Sequence, residues 1–246
     1  MSVWASLAGP FARITVGPGV SATVFTLPRA LLCNSSTYFN AALNNGFAET
    51  KEQKVILDDE DPAVFRTYAL WLYNSKLETQ HSGLQPLDEN TAEQYLLHLY
   101  IFADKRGITG FANDIITMLI TIWAENVMDL STVIWVCPLI SRNSKLYDLI
   151  LDNMVICLRN ESLTRDILDY ANVPKDVLVD LLDKEFTPDE TFEDFTECCL
   201  ACICHYHVHT EQEILDGTCV RRLESRCNHF DDDEENEFPE QFDWQW

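Results

Sequence analysis

Short strands near the start and helices through the remainder make this an α+β chain, a mixed module followed by an all-helical region. Three patterns carry that reading. Residues 11–27, FARITVGPGVSATVFTL, form two apolar runs about Gly17-Pro18-Gly19, with Thr23, Phe25 and Leu27 alternating with smaller residues. Behind Asp61-Pro62, the residues Phe65, Tyr68, Ala69 and Leu72 fall at i, i+3, i+4 and i+7, one buried helical stripe. Beyond about residue 127 every apolar run has helical spacing.

In chain order, Pro28 suits the first turn of a helix that carries Leu31 and Leu32. Asn34-Ser35-Ser36 breaks it, and a serine there caps a second helix with Phe39, Ala42 and Leu43 inward. KVILDD, residues 54–59, is a compact strand. Asp61-Pro62 pairs a capping residue with proline at the first helical position. Residues 74–90 form a polar loop, and Asn90 with Glu93 has capping-box spacing before a helix that sets Ala92, Tyr95, Leu96, Leu99 and Ala103 on one face. That helix ends at Lys105-Arg106-Gly107, cations and then the glycine that helix C-termini favour. A further helix aligns Phe111, Ile115, Met118 and Ile122, and later ones are expected over 129–136, 144–159, 174–185 and 190–205.

Hydrophobic residues at 47% and charged residues at 23% are ordinary globular values, so a sizeable core is expected. The net charge of −23 argues against unaided binding to nucleic acid or to an anionic membrane, since both present phosphate that such a surface repels. Residues 231–246, DDDEENEFPEQFDWQW, hold eight acids and no base, which leaves −15 for the rest of the chain. That segment is low in aliphatics and reads as a disordered tail, a docking peptide for a basic groove or an intramolecular latch. No secretory signal is evident, and the most apolar stretch, 115–136, is broken by Glu125, Asn126 and Asp129. Nine cysteines without a secretion signal fit a reducing compartment, cytoplasm or nucleus.

The strand pair, Leu32-Cys33 with Ser35-Ser36, Tyr38-Phe39, Phe47-x-Glu49, Val55-x-Leu57, Asp61-Pro62 with Phe65, and Trp71-Leu72-Tyr73 follow one another in an order that resembles a BTB/POZ domain of the subtype common in fungal proteins. The resemblance covers residues 11–125. It divides the chain into a short extension (1–10), the BTB/POZ domain (11–125), a helical C-terminal region with a Cys/His cluster (126–230) and the acidic tail (231–246). Two positions depart from the pattern: Leu27-Pro28-Arg29 stands where members usually carry a histidine, and Ala12-Arg13 where many carry an acid. The resemblance implies a non-enzymatic interaction protein, self-associating as a homodimer and recruiting protein partners.

Some members dock on the cullin scaffolds of ubiquitin ligases through a hydrophobic residue, any residue, then an acid; Phe47-Ala48-Glu49 matches position by position. An aromatic anchor beside an orienting carboxylate suits such an interface. Phe47 alternatively packs on Phe39 or Leu43 as the last core residue of its helix, with Glu49 solvated. The second constellation runs from Cys198 to Cys219, and its thiols and imidazoles suit tetrahedral zinc. A continuous helix would align Cys198, Cys202, His205 and His209. A loop would instead close Cys204, His207, His209 and Cys219 around the metal, and resemblance to related fungal proteins favours this second set. The other reading is a buried helix that uses cysteine as a small hydrophobe. No catalytic signature is present: there is no Gly-x-Ser-x-Gly, phosphate loop, His-Glu-x-x-His or dinucleotide fingerprint, and Cys33 needs a nearby base to act as a nucleophile.

Overall fold

The computed structural model describes residues 9–46, 48–77, 89–125, 128, 130–159, 172–186, 203–211 and 213. Strands β1 (Phe11–Val16), β2 (Thr23–Pro28) and β3 (Lys54–Leu57) form a mixed sheet of order β2-β1-β3. β1 pairs antiparallel with β2 and parallel with β3, placing Arg13 opposite Thr26 on one side and Lys54 on the other. Helices follow: α1 (Arg29–Ser35), α2 (Thr37–Asn44), α3 (Ala48–Glu52), α4 (Pro62–Asn74), α5 (Glu89–Lys105), α6 (Thr109–Glu125), α7 (Leu130–Val136), α8 (Lys145–Arg159) and α9 (Lys175–Phe186). The α+β expectation with a helical C-terminal region therefore holds. Among the described residues no helix is long and apolar enough to cross a membrane.

Alternation in β1 sends Ala12, Ile14 and Val16 wholly inward, where Val55 and Leu57 of β3 join them. Against this face α4 lays Phe65 and Tyr68, both fully buried. Phe65 lies 4.8 Å from Phe25 of β2, 6.3 Å from Phe39 of α2 and 6.0 Å from Phe102 of α5, ring centre to ring centre. One aromatic side chain thus joins the sheet to three helices. Tyr68 buries its ring but keeps its hydroxyl 2.7 Å from the Ser35 hydroxyl, and burial pushes its ionisation well above the usual tyrosine range.

Local signals place most helix ends. Asp61 accepts from the Ala63 N–H at 2.7 Å, and Pro62 occupies the first turn. Ser36 caps α2 by accepting from the Phe39 N–H at 3.1 Å. Three expectations shift. Pro28 is the last residue of β2 and precedes α1 rather than entering it; it has no N–H to donate to the ladder, which the strand end opposite Phe11 tolerates. The hairpin connection takes in a 3-10 turn, Gly19–Ser21, beyond the expected tight turn. The expected capping pair falls inside the helix: α5 already begins at Glu89, so Asn90 is helical, and Glu93 is buried, accepting from the Thr132 hydroxyl of α7 at 2.7 Å. The expected helix over 190–205 lies mostly outside the described residues, and its end, Ile203–Tyr206, is a 3-10 turn.

The C-terminal end of α5 and the N-terminal end of α2 satisfy each other. The first N–H groups of a helix and the last carbonyls of another lack partners within their own helices. Here the Thr37 N–H donates to the Gly107 carbonyl at 3.3 Å, the Tyr38 N–H to the Arg106 carbonyl at 3.4 Å, and the Ser36 hydroxyl to the same Arg106 carbonyl at 2.6 Å. Arg106 is buried beneath this joint. Its guanidinium lies 4.5 Å from the Tyr38 ring centre and 2.8 Å from the Glu60 carboxylate.

Candidate functional site

The turn between α2 and β3 is braced from three sides. Gly46 has φ +81°, a left-handed conformation natural to glycine, and lets the chain leave α2. Its N–H donates to the Thr50 hydroxyl at 3.0 Å, and that hydroxyl donates onward to the Ala42 carbonyl at 3.0 Å. One side chain of α3 therefore locks the end of α2. From α1, the Arg29 guanidinium donates to the Leu43 carbonyl at 3.3 Å and to the Asn44 side-chain oxygen. On the far side, the Gln53 carbonyl accepts from the Arg13 N–H of β1 at 2.8 Å, so α3 runs straight into the sheet.

Phe47 lies outside the described residues; Glu49 sits half-buried in the first turn of α3. Phe39 and Leu43, the core contacts that the sequence offers Phe47, are completely buried. The Phe47-x-Glu49 spacing was legible in the sequence. The bracing was not, because Arg29 and Thr50 reach carbonyls that only the folded arrangement of α1, α2 and α3 brings within range.

Within the Cys/His segment, residues 203–209 lie against the helical layer as a strap. Asn113 of α6 donates to the Val208 carbonyl at 2.9 Å and accepts from the Val208 N–H at 3.0 Å, the two-point contact that a strand neighbour would make. One helical turn on, the Thr117 hydroxyl lies 3.0 Å from His207 Nε2 and 3.1 Å from the Asn113 carbonyl. When the hydroxyl gives its single proton to that carbonyl, it accepts from His207 Nε2–H, the tautomer that leaves Nδ1 free of a proton. His207 is buried and His209 half-buried, their ring centres 5.9 Å apart.

The strap also engages α8, at an aspartate that α9 shares. The buried Tyr206 hydroxyl donates to Asp152 Oδ2 at 2.9 Å, and Lys184 of α9 reaches Asp152 Oδ1 at 2.7 Å. The Cys204 side chain and all of Cys219 lie outside the described residues, as do Cys198, Cys199 and Cys202. Sequence reasoning overlooked Asn113 and Thr117. Their i, i+4 spacing on an apolar helix was the available signal, two polar groups needing a partner on one side.

The partners of Cys33 among the described residues are the Phe39 carbonyl and the Asn44 amide, and burial, partly offset by Arg29 and Asn44, raises its thiol above the usual range. Cys137 is pushed up to about 12 by burial, with Asp176 adding to the shift. Both stay protonated at neutral pH, unlike an activated nucleophile.

Residues 19–106 match the family model of the BTB/POZ domain. No curated protein matches the chain. The matched span opens just after β1, closes at Arg106 and includes the braced turn and the Phe65–Tyr68 cluster. The chain thus carries a BTB/POZ domain, an interaction module, with further helices C-terminal to it.

Proposed function

We propose that this protein is a substrate adaptor that docks on a cullin-type scaffold of a ubiquitin ligase through Phe47 and Glu49. The BTB/POZ domain supports the broader role, protein–protein interaction. The finer reading rests on the bracing of the turn, in which Thr50 and Arg29 hold the flanking backbone before any partner arrives. Such preorganisation lowers the ordering cost of association. Client proteins would be met by the helices beyond residue 126.

Calorimetry against a cullin N-terminal domain tests this. Wild type is expected to bind in the micromolar range or tighter, and Phe47→Ala, Glu49→Ala to lose at least about thirtyfold in affinity, the share of an aromatic anchor. A folded wild type that does not bind would sink the adaptor reading.

The neighbouring rings of His207 and His209 favour a second reading, a homodimeric scaffold without a ligase role whose strap is held by a structural zinc on Cys204, His207, His209 and Cys219. It requires a dimeric mass by light scattering and close to one zinc per chain. Less than about a tenth of a mole of zinc per mole of protein purified without chelator would eliminate it.

A further inference from the structure

The outward face of the sheet carries cations in a chain dominated by acids. Arg13 and Lys54 sit directly opposite each other on β1 and β3, and like charges so placed destabilise a sheet. Neither makes an ion pair among the described residues, and β1, β2 and β3 contain no acid. The whole chain has 40 acids against 17 bases, so an uncompensated cationic pair is conspicuous. Apolar groups flank it on the same face: Phe11 at 53% exposure on one side, Val24 at 55% and Ile56 at 58% on the other. Register puts Thr15 between Val24 and Ile56, and Arg13 between Thr26 and Lys54. Apolar, cationic and apolar rows therefore follow one another about 7 Å apart along β1.

We infer that this face is the intramolecular docking site of the acidic, aromatic segment 231–246. That segment interleaves its eight acids with Phe238, Phe242, Trp244 and Trp246, the counterpart of a surface that interleaves cations with apolar groups. Residues 1–8, which adjoin β1 in sequence, contain no acid and offer no such complement. Reach is sufficient: residues 214–230, beyond the last described residue, extend to about 56 Å, against a diameter of roughly 40 Å for a domain of this size. Docking neutralises Arg13 and Lys54 and covers Phe11, Val24 and Ile56. It also places acids beside α3, next to the braced turn.

The full chain labelled with 5-fluorotryptophan tests the inference by fluorine NMR, with Trp244→Phe and Trp246→Phe assigning the two segment signals. Both are expected away from the free-indole position, unchanged on dilution, and released at about 1 M salt, where the screening length falls to about 3 Å. Arg13→Glu, Lys54→Glu should lower the docked-to-released ratio at least about tenfold, since two attractions become repulsions. The milder Arg13→Gln, Lys54→Gln should lower it less, and unchanged signals from buried Trp71 and Trp123 show that each variant is folded. Free-indole positions in the wild type overturn the inference, as do displaced signals indifferent to both double variants. Signals that move on dilution assign the face to a second copy's segment and overturn the intramolecular site.

Discussion

Phe65→Ala is expected to cost about 3–5 kcal/mol, the range for emptying a fully buried aromatic site. The ring has no solvent exposure and contacts Phe25, Phe39, Tyr68 and Phe102, so its loss opens a void bounded by the sheet and by α2, α4 and α5 together. Those elements are otherwise committed. Phe39 stacks on Tyr68 at 6.1 Å, and Tyr68 is tied through its hydroxyl to Ser35, so neither ring collapses freely into the space. A domain whose total stability is about 5–15 kcal/mol loses a large fraction of it. Urea unfolding of wild type and variant measures the difference; Phe65→Leu, which keeps most of the volume, should retain well over half the lost stability. A Phe65→Ala variant within about 1 kcal/mol of wild type would show that the cluster is not the core of the BTB/POZ domain.

Gly107→Ala is expected to cost about 2–3 kcal/mol from two separable sources. Gly107 has φ +58°, where an L side chain is strained, and a Cβ there would collide with the Thr37 Oγ1. The exposed Thr37 side chain turns away at the cost of its rotamer, about 0.5–1.5 kcal/mol. The backbone strain stays, because the Gly107 carbonyl must still receive the Thr37 N–H and position 107 must still end α5. Thr37→Ala combined with Gly107→Ala should therefore be more stable than Gly107→Ala alone, yet remain below Thr37→Ala by about 1–2 kcal/mol. A double-mutant cycle with no coupling would contradict the close approach of α5 to α2.

The two predictions mark where local sequence suffices and where it does not. Alternation at Thr23, Phe25 and Leu27, the stripe behind Asp61-Pro62 and the cationic, glycine-terminated end of α5 each follow from one residue and its near neighbours, so strand, helix and helix end were readable. Phe47-x-Glu49 was readable as a spacing for the same reason. Pairing is a different matter. That β1 takes β3 as a parallel neighbour, that Glu93 answers Thr132 39 positions away, and that Asn113 clamps Val208 95 positions away are choices among many chemically equivalent partners. The Gly107 position shows both levels at once. Its glycine announced a helix end, but its close contact with Thr37 arises because α5 stops against the first turn of α2, each supplying the hydrogen bonds the other lacks. Residue type and spacing set what each segment can form; only the packed chain, by bringing distant unsatisfied groups together, selects which of them meet.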